Sequence, residues 1–362
     1  MKKFLIVFLV LVLSAGIGMG LGWFINGRKV ETKTATASKT PVDTKKHLWG
    51  VFTNPYVFNT PNDSFMPDHV DKQVSYWKDL GLNIVRFNYE FFSDRPEYIK
   101  PENDYLIKKL QANGIKRLMV VESPLEKDFF NLANYQKGYE WGSFIGTHFK
   151  GKIDYYQLLN EVSGKAVKEN ASGYKIEDYD MAKFAPMEEY IKGLSDGIHE
   201  ADPKAKRVIC AHWIGVAAID KLIADDVNFE VIGWNWFSEM GDDPTNKKLD
   251  DGTVLNIPKH FEKSGKEFWL TELNRSSGSF DGKEQDQAQY LKTAMDNLMK
   301  SGLVKGVFVY QLFDPNPGDD GKQTPNNQLG IIKVKKDSAG KWGPGEKKPA
   351  YSTYKDLIAR YL

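Results

Sequence analysis

The sequence predicts an α/β chain: a (β/α)8 barrel preceded by an N-terminal apolar segment and a polar tether. Three observations lead there. Eight short, β-rich apolar runs recur from residue 47 onward, and amphipathic stretches separate them. Each run is nearly continuous in apolar character, as parallel strands covered on both faces are. No glycine-rich phosphate turn follows the first run, LWGVFTNPY, so the doubly wound open sheet is the weaker alternative.

The elements follow in order. Phe4 to Ile25 is twenty-two residues without a charge, between Lys2-Lys3 and Arg28-Lys29. About 20 apolar residues cross a bilayer as a helix, whereas a signal-peptide core has about 7–15. Residues 1–28 are therefore expected to be an uncleaved membrane anchor, with a cleaved signal peptide as the alternative. Residues 29–46 (KVETKTATASKTPVDTKK) hold no aromatic side chain and are expected to form a solvated tether. Residues 47–362 form the barrel. Its strands are expected at 48–53, 83–89, 117–122, 154–160, 206–212, 230–236, 267–273 and 306–313. Helical patterns over Asp68–Leu80, Asp104–Asn113 and Glu284–Ser301 stop at Gly81, Gly114 and Gly302, the residue type that ends helices in a left-handed turn.

Charge and cysteine content exclude several functions. The chain has 49 basic and 48 acidic residues. Residues 1–46 hold eight basic and two acidic ones, which leaves 41 against 46, or about −5, for 47–362. Nucleic acid is not an expected partner. The single cysteine, Cys210, lies in an apolar run and reads as a small buried side chain; no disulfide or Cys-based metal site can be built on it. No HExxH and no nucleotide fingerprint occurs, so neither metal nor cofactor is expected. The acidic stretch 238–252 lacks EF-hand spacing and reads as a solvated loop, with a calcium site as the lesser alternative.

Catalytic groups of a barrel stand at the carboxyl ends of its strands. Those ends carry Arg86 and Asn88, Glu122, Asn160-Glu161, His212-Trp213, Trp234-Asn235-Trp236, Glu272 and Asn274, and Tyr310-Gln311 followed by Asp314. Glu161 and Glu272 each follow a strongly apolar strand, where a charge is costly unless it faces an aqueous cleft. They occupy the fourth and seventh strands, across the mouth from one another. Two carboxyls in unequal protonation states are what glycosidic cleavage requires, and a separation of about 5–5.5 Å permits a covalent, retaining route.

At these residues the chain resembles clan A glycoside hydrolases, which are retaining (β/α)8 enzymes. Leu-Leu-Asn160-Glu161 and Trp-Leu-Thr-Glu272 look like the acid/base and nucleophile motifs. Arg86 matches the strand-two arginine, and Leu329-Gly330-Ile331-Ile332 with Lys348-Pro349-Ala350-Tyr351 looks like the closing segment. Val-Ile-Gly on strand six and Tyr-Gln-Leu-Phe-Asp314 on strand eight look closest to the family 39 type. The resemblance implies Glu161 as general acid/base and Glu272 as nucleophile. It also implies Asn160 as a bond to the sugar 2-hydroxyl, and Arg86 as the group that orients Glu272 and keeps it ionised. His212, Trp234, Asn235, Trp236, Tyr310, Gln311 and Glu122 are candidate sugar contacts, Trp234 and Trp236 with Trp213 as a stacking floor. Strand six departs from the clan in offering Asn235-Trp236-Phe237 where a His and then a Tyr often stand. Strand eight departs in offering Tyr310-Gln311 near a usual subsite tryptophan.

The resulting expectation is a monomeric retaining glycosidase acting on a β-linked polysaccharide on the outer face of the membrane, or secreted if the first segment is cleaved. The flanking charges alone would favour the inner side. A silent carbohydrate-binding barrel and a transglycosylase with the same intermediate remain open readings.

Overall fold

A computed structural model describes residues 47–59, 66–91, 98–125, 128–317 and 322–362. The anchor or signal segment 1–28 and the tether 29–46 lie outside the described residues. Among the described residues no helix is long and apolar enough to cross a membrane.

Eight parallel strands close on themselves in sequence order: β1 (Leu48–Phe52), β2 (Ile84–Asn88), β3 (Lys116–Val121), β4 (Tyr155–Leu158), β5 (Lys206–His212), β6 (Val231–Phe237), β7 (Glu267–Asn274) and β8 (Val304–Val309). The main helices between and after them are α1 (Pro67–Leu80), α2 (Pro101–Ala112), α3 (Tyr135–His148), α4 (Met181–Ala201), α5 (Val216–Ala224), α6 (Ile257–Phe261), α7 (Glu284–Ser301) and α8 (Pro349–Tyr361). The expected (β/α)8 barrel is present.

Two helices begin earlier than their acidic residues suggested. Pro67 and Pro101 occupy the first turn, where proline's missing N–H costs nothing and its fixed φ suits the helix. Gly81 and Gly302 close α1 and α7 in the left-handed region, at φ 73° and 69°. The fourth strand is shorter than the 154–160 run. It ends at Leu158 because Leu159 turns to φ 63° and Glu161 to φ 50°. The eighth lies earlier than its run, over Val304–Val309, and Phe313 instead pairs with Ile332.

The bore fills in layers set by the two-residue period of a strand. Ile84, Leu118, Tyr155, Val208, Val231, Trp269 and Phe308 form an apolar floor. Two residues further along the same strands come Arg86, Val120, Gln157, Cys210, Gly233 and Thr271. Four residues beyond the floor come Asn88, Glu122, His212 and Asn235, at the carboxyl ends. The floor therefore seals the bore beneath a polar layer that can only be satisfied internally or through the open mouth.

The acidic stretch after β6 is less solvated than its composition suggested. Asp243 is buried and accepts from the Thr245 N–H at 2.8 Å and from Asn297 Nδ2 of α7 at 2.8 Å, which ties the loop to the barrel wall. A short antiparallel hairpin, Lys247–Lys248 with Val254–Leu255, completes it.

Candidate active site

Arg86 organises the polar layer. It is 1% exposed, and its guanidinium makes three bonds: Nε to Gln157 Oε1 at 2.9 Å, Nη1 to Glu272 Oε1 at 2.8 Å and Nη2 to Asn160 Oδ1 at 3.0 Å. Phe52 lies under its charge, with the ring centroid 5.6 Å away. A planar fork satisfies three acceptors from β4 and β7 at once, which a lysine could not do. Gln157 repeats the pattern: its Nε2 donates to Asn160 Oδ1 at 3.0 Å and to the Leu159 carbonyl at 3.1 Å.

Asn235 lies beside both acids. Its Nδ2 donates to Glu161 Oε1 at 2.9 Å and reaches Asn160 Oδ1 at 3.4 Å, and its amide pulls the Glu272 pKa down. Its Oδ1 accepts from Thr271 Oγ1 at 2.8 Å and from the Cys210 thiol at 3.3 Å. With two donors on the oxygen, the NH2 group is the half that faces the carboxyls. Thr271 can reach across because the ladder between β6 and β7 slips there: Trp234 pairs with Leu270, and Asn235 pairs with Glu272.

Glu272 is 7% exposed. Burial pushes its carboxyl up to about 7 and the Glu161 charge adds to this, while the Arg86 guanidinium and the Asn235 amide pull the other way. The cation expected to keep Glu272 ionised stands beside it, and burial acts in the opposite direction and more strongly. Glu161 is half-buried and sits in the left-handed region right after the strand, at a backbone cost of about 1–3 kcal/mol. That turn sends its side chain toward Asn235.

The other expected sugar contacts divide. His212 is half-buried, with Nδ1 3.2 Å from Ser163 Oγ. Its ring rests against Gly164, where a Cβ would collide with it. Tyr310 is half-buried between Phe52 and Phe237, centroids 5.0 and 6.1 Å away. Burial, and then the Glu272 charge, push its phenol up to about 12. It thus stands close to the acids from the strand-eight side. Gln311 is buried, its N–H on the Leu329 carbonyl at 3.2 Å. Glu122 lines a neighbouring cavity of about 260 Å³ with Ser123, Phe129, Phe130 and Lys165, and burial raises its pKa.

Trp234 and Trp236 do not form a stacking floor. Both are fully buried on the outer face of β6. Trp234 packs on Phe261 and Phe268 and donates to the Trp213 carbonyl; Trp236 stacks on Trp213 and donates to the Gly241 carbonyl. Strand alternation sends Asn235 inward and both tryptophans outward. Sequence reading passed over Gln157, Thr271 and Ser163 and gave Cys210 only a packing role. The signal that could have found the first two is their register, two residues above the floor.

Solved structures share this fold. They include a family 1 β-glucosidase from Thermotoga maritima at 16% identity and a TM-score of 0.59, and the β-glucosidase of that organism in complex with castanospermine at 15% and 0.59. Each alignment covers 87% of this chain and 98% of the other. At that identity the likeness is one of fold. No family model matches the sequence, and no curated protein matches it.

Proposed function

We propose that the chain is a retaining glycoside hydrolase of the clan A kind that cleaves O-glycosidic bonds of a β-linked polysaccharide, with Glu161 as acid/base and Glu272 as nucleophile. The observation that carries this is one buried polar layer that joins the ends of β4 and β7: Arg86 is bonded to Glu272 and to Asn160, and Asn235, which pairs in register with Glu272, donates to Glu161. The reaction needs the proton on Glu161 and needs Glu272 ionised, so it requires a pH at which Glu272 has released its proton, a release the Arg86 guanidinium favours.

In the first step Glu161 gives its proton to the glycosidic oxygen as the C–O bond breaks, and Glu272 Oε forms a bond to the anomeric carbon. The leaving sugar departs with the proton. In the second step Glu161, now a carboxylate, takes a proton from water. The water oxygen attacks the anomeric carbon, and Glu272 leaves as carboxylate under the Arg86 fork. Asn160, held by Arg86 and Gln157, is placed to meet the 2-hydroxyl. A sugar acceptor in place of water gives transglycosylation by the same intermediate.

The proposal includes the outer face of a membrane as the site of action, with residues 4–25 as anchor, because that run is long and uncharged. The family 39 likeness belongs to the same proposal and rests on the strand-six and strand-eight motifs. The silent binding reading keeps only Trp213 of the three tryptophans of its aromatic floor, since Trp234 and Trp236 are buried.

Product analysis after incubation with a library of polysaccharides is the direct test. Glu161→Gln and Glu272→Gln should each lower turnover by at least about a hundredfold. Azide should yield a β-glycosyl azide with an alanine at 161 and an α-glycosyl azide with an alanine at 272. Unchanged activity in both Gln variants, or tight binding without cleavage across the whole library, overturns the reading.

A further inference from the structure

A second cavity, of about 360 Å³, opens among the loops that follow β4, β5 and β6. That volume is within the range of small-ligand pockets, about 300–1,000 Å³. These are loops of the strand ends that carry Glu161 and Asn235, so the cavity adjoins the same mouth. Tyr174 and Lys175 come from the β4 loop, Trp213 from the end of β5, and Lys247, Lys248 and the turn Asp250-Asp251 from the hairpin after β6.

Trp213 is built into this wall in an unusual way. It adopts φ 54°, a left-handed conformation that a bulky residue rarely takes and that costs about 1–3 kcal/mol. Its indole stacks on Trp236, at 6.4 Å between centroids and an interplanar angle of 21°. The Lys247 ammonium sits 4.1 Å from the centroid of the same indole. Among the described residues no carboxylate lies within ion-pairing distance of that ammonium. The ring thus holds a positive charge in place without neutralising it.

The remaining charges of the wall do not cancel this arrangement. Lys175 and Lys248 are exposed cations on the rim. The Asp251 carboxylate is turned back on its own loop, accepting from the Thr253 N–H at 2.9 Å. Asp250 is exposed. The cation held over the indole is the fixed group, and the two acids belong to the turn.

We infer that this cavity is a subsite for an acidic sugar unit, whose carboxylate is received by Lys247 over Trp213 while Tyr174 covers part of the ring. The inference rests on the polysaccharide reading of the glutamate pair and narrows it: the substrate is an anionic polymer containing uronic acid. A neutral glucan would leave Lys247 without a partner in a half-closed cavity, whereas a uronate at that place meets a charge already positioned, which lowers the ordering cost of binding.

The test uses the full chain carrying Glu272→Gln, so that binding is read without cleavage. Its migration is followed by affinity electrophoresis through gels containing polygalacturonate, alginate or barley β-glucan. The parent should be retarded by at least one acidic polymer, and less so as salt rises from 50 to 300 mM. Adding Lys247→Met should weaken that retardation about three- to fivefold, the size of a partly exposed ion pair, and so lower the ratio of acidic to neutral affinity. Lys247→Arg should restore most of it. No retardation of the parent by either acidic polymer, or equal retardation with Met at 247, overturns the inference. Failure of the hydrolase reading would look different: the wild-type chain would cleave nothing in the library while the effect of Lys247 on acidic-polymer binding persisted.

Discussion

Glu272 carries a charge where burial disfavours it, and this gives the site a pH dependence of definite sign. Its folded carboxyl titrates near 7, above the ordinary 4.5. Between those values the folded state holds a proton that the unfolded chain releases, so the stability contributed by this group is full below about pH 4.5 and is lost as pH rises through 7. Comparing wild type with Glu272→Gln by urea unfolding at several pH values, the difference should move in favour of the variant from pH 4.5 to 8; a difference that is flat or moves the other way would contradict the raised pKa. In activity the same group sets an acid limb near 7 in kcat/KM. Asn235 offers a second handle. Thr271→Val removes the firmer of the two donors that fix its amide, with little change in volume. We expect kcat to fall about tenfold with KM little changed, and the acid limb to move, since the amide that lowers the Glu272 pKa is freed to turn. Serine at 271 should recover both, which a purely packing role would not explain. None of this was visible in the motifs alone, because Thr271 and Cys210 look like ordinary apolar-strand residues until the register puts their donors under Asn235.

At the scale of elements, α3 and α4 illustrate what spacing can announce and what it can hide. Gly138 and Gly142 on α3 lie against the backbone of Tyr190, Leu194 and Ile198 on α4, and Gly193 and Gly197 on α4 lie against the backbone of Tyr135, Tyr139 and Ser143 on α3. A Cβ on Gly142 would run into the Leu194 carbonyl oxygen, and one on Gly193 into the Tyr135 carbonyl oxygen. The two helices approach backbone to backbone because one residue in four lacks a side chain. Gly142→Ala should therefore destabilise by about 1–3 kcal/mol, although alanine is the better helix former, and the loss would be read as a lower urea midpoint at unchanged m. A Gly142→Ala chain as stable as wild type would show that the helices part at no cost. The four-residue repeat stands in the sequence, but it was not read there, because nothing in one helix's spacing names the helix it packs on. The strands were legible for a stronger reason: burial on both faces forces a run of apolar residues, and that pattern survives any change of neighbour. Where one residue bears two demands, the pattern fails. Trp234 and Trp236 looked like sugar platforms because they flank a strand end. The slip between β6 and β7 occurs just there, and the outer face of β6 needed two large side chains to pack against α6 and Trp213.

On the scale of the whole barrel, closure depends on the last 50 or so residues, where the sequence showed the motifs Leu329-Gly330-Ile331-Ile332 and Lys348-Pro349-Ala350-Tyr351 but not the hairpin between them. After β8 the chain runs through a hairpin, β9 (Ile332–Lys336) with β10 (Trp342–Lys347), before α8 lies against the first helix of the ring. Two anchors hold this return. Tyr354 in α8 donates to the Gly50 carbonyl of β1 at 2.6 Å. Asp314, just past β8, pairs with Lys348 at 2.7 Å, and both side chains are almost wholly buried. Asp314 also accepts from the Gly330 N–H at 2.8 Å, and Lys348 donates to the Gln328 carbonyl at 3.1 Å. Burial pushes Asp314 up to about 6 despite the Lys348 charge, so this pair has little surplus attraction to spare. Removing one partner is then the informative change. Lys348→Met leaves a carboxyl in the interior without its cation, and we expect a loss of about 3–5 kcal/mol at pH 8. The loss should shrink at pH 5, because a carboxyl freed of its cation titrates still higher and enters the fold protonated. A double change, Lys348→Met with Asp314→Leu, should recover a large part of the single variant's loss, since an apolar pair carries no desolvation cost. Equal losses at both pH values, or a double variant weaker than the single, would mean that the pair's bonds to Gly330 and Gln328 hold the segment rather than its charges.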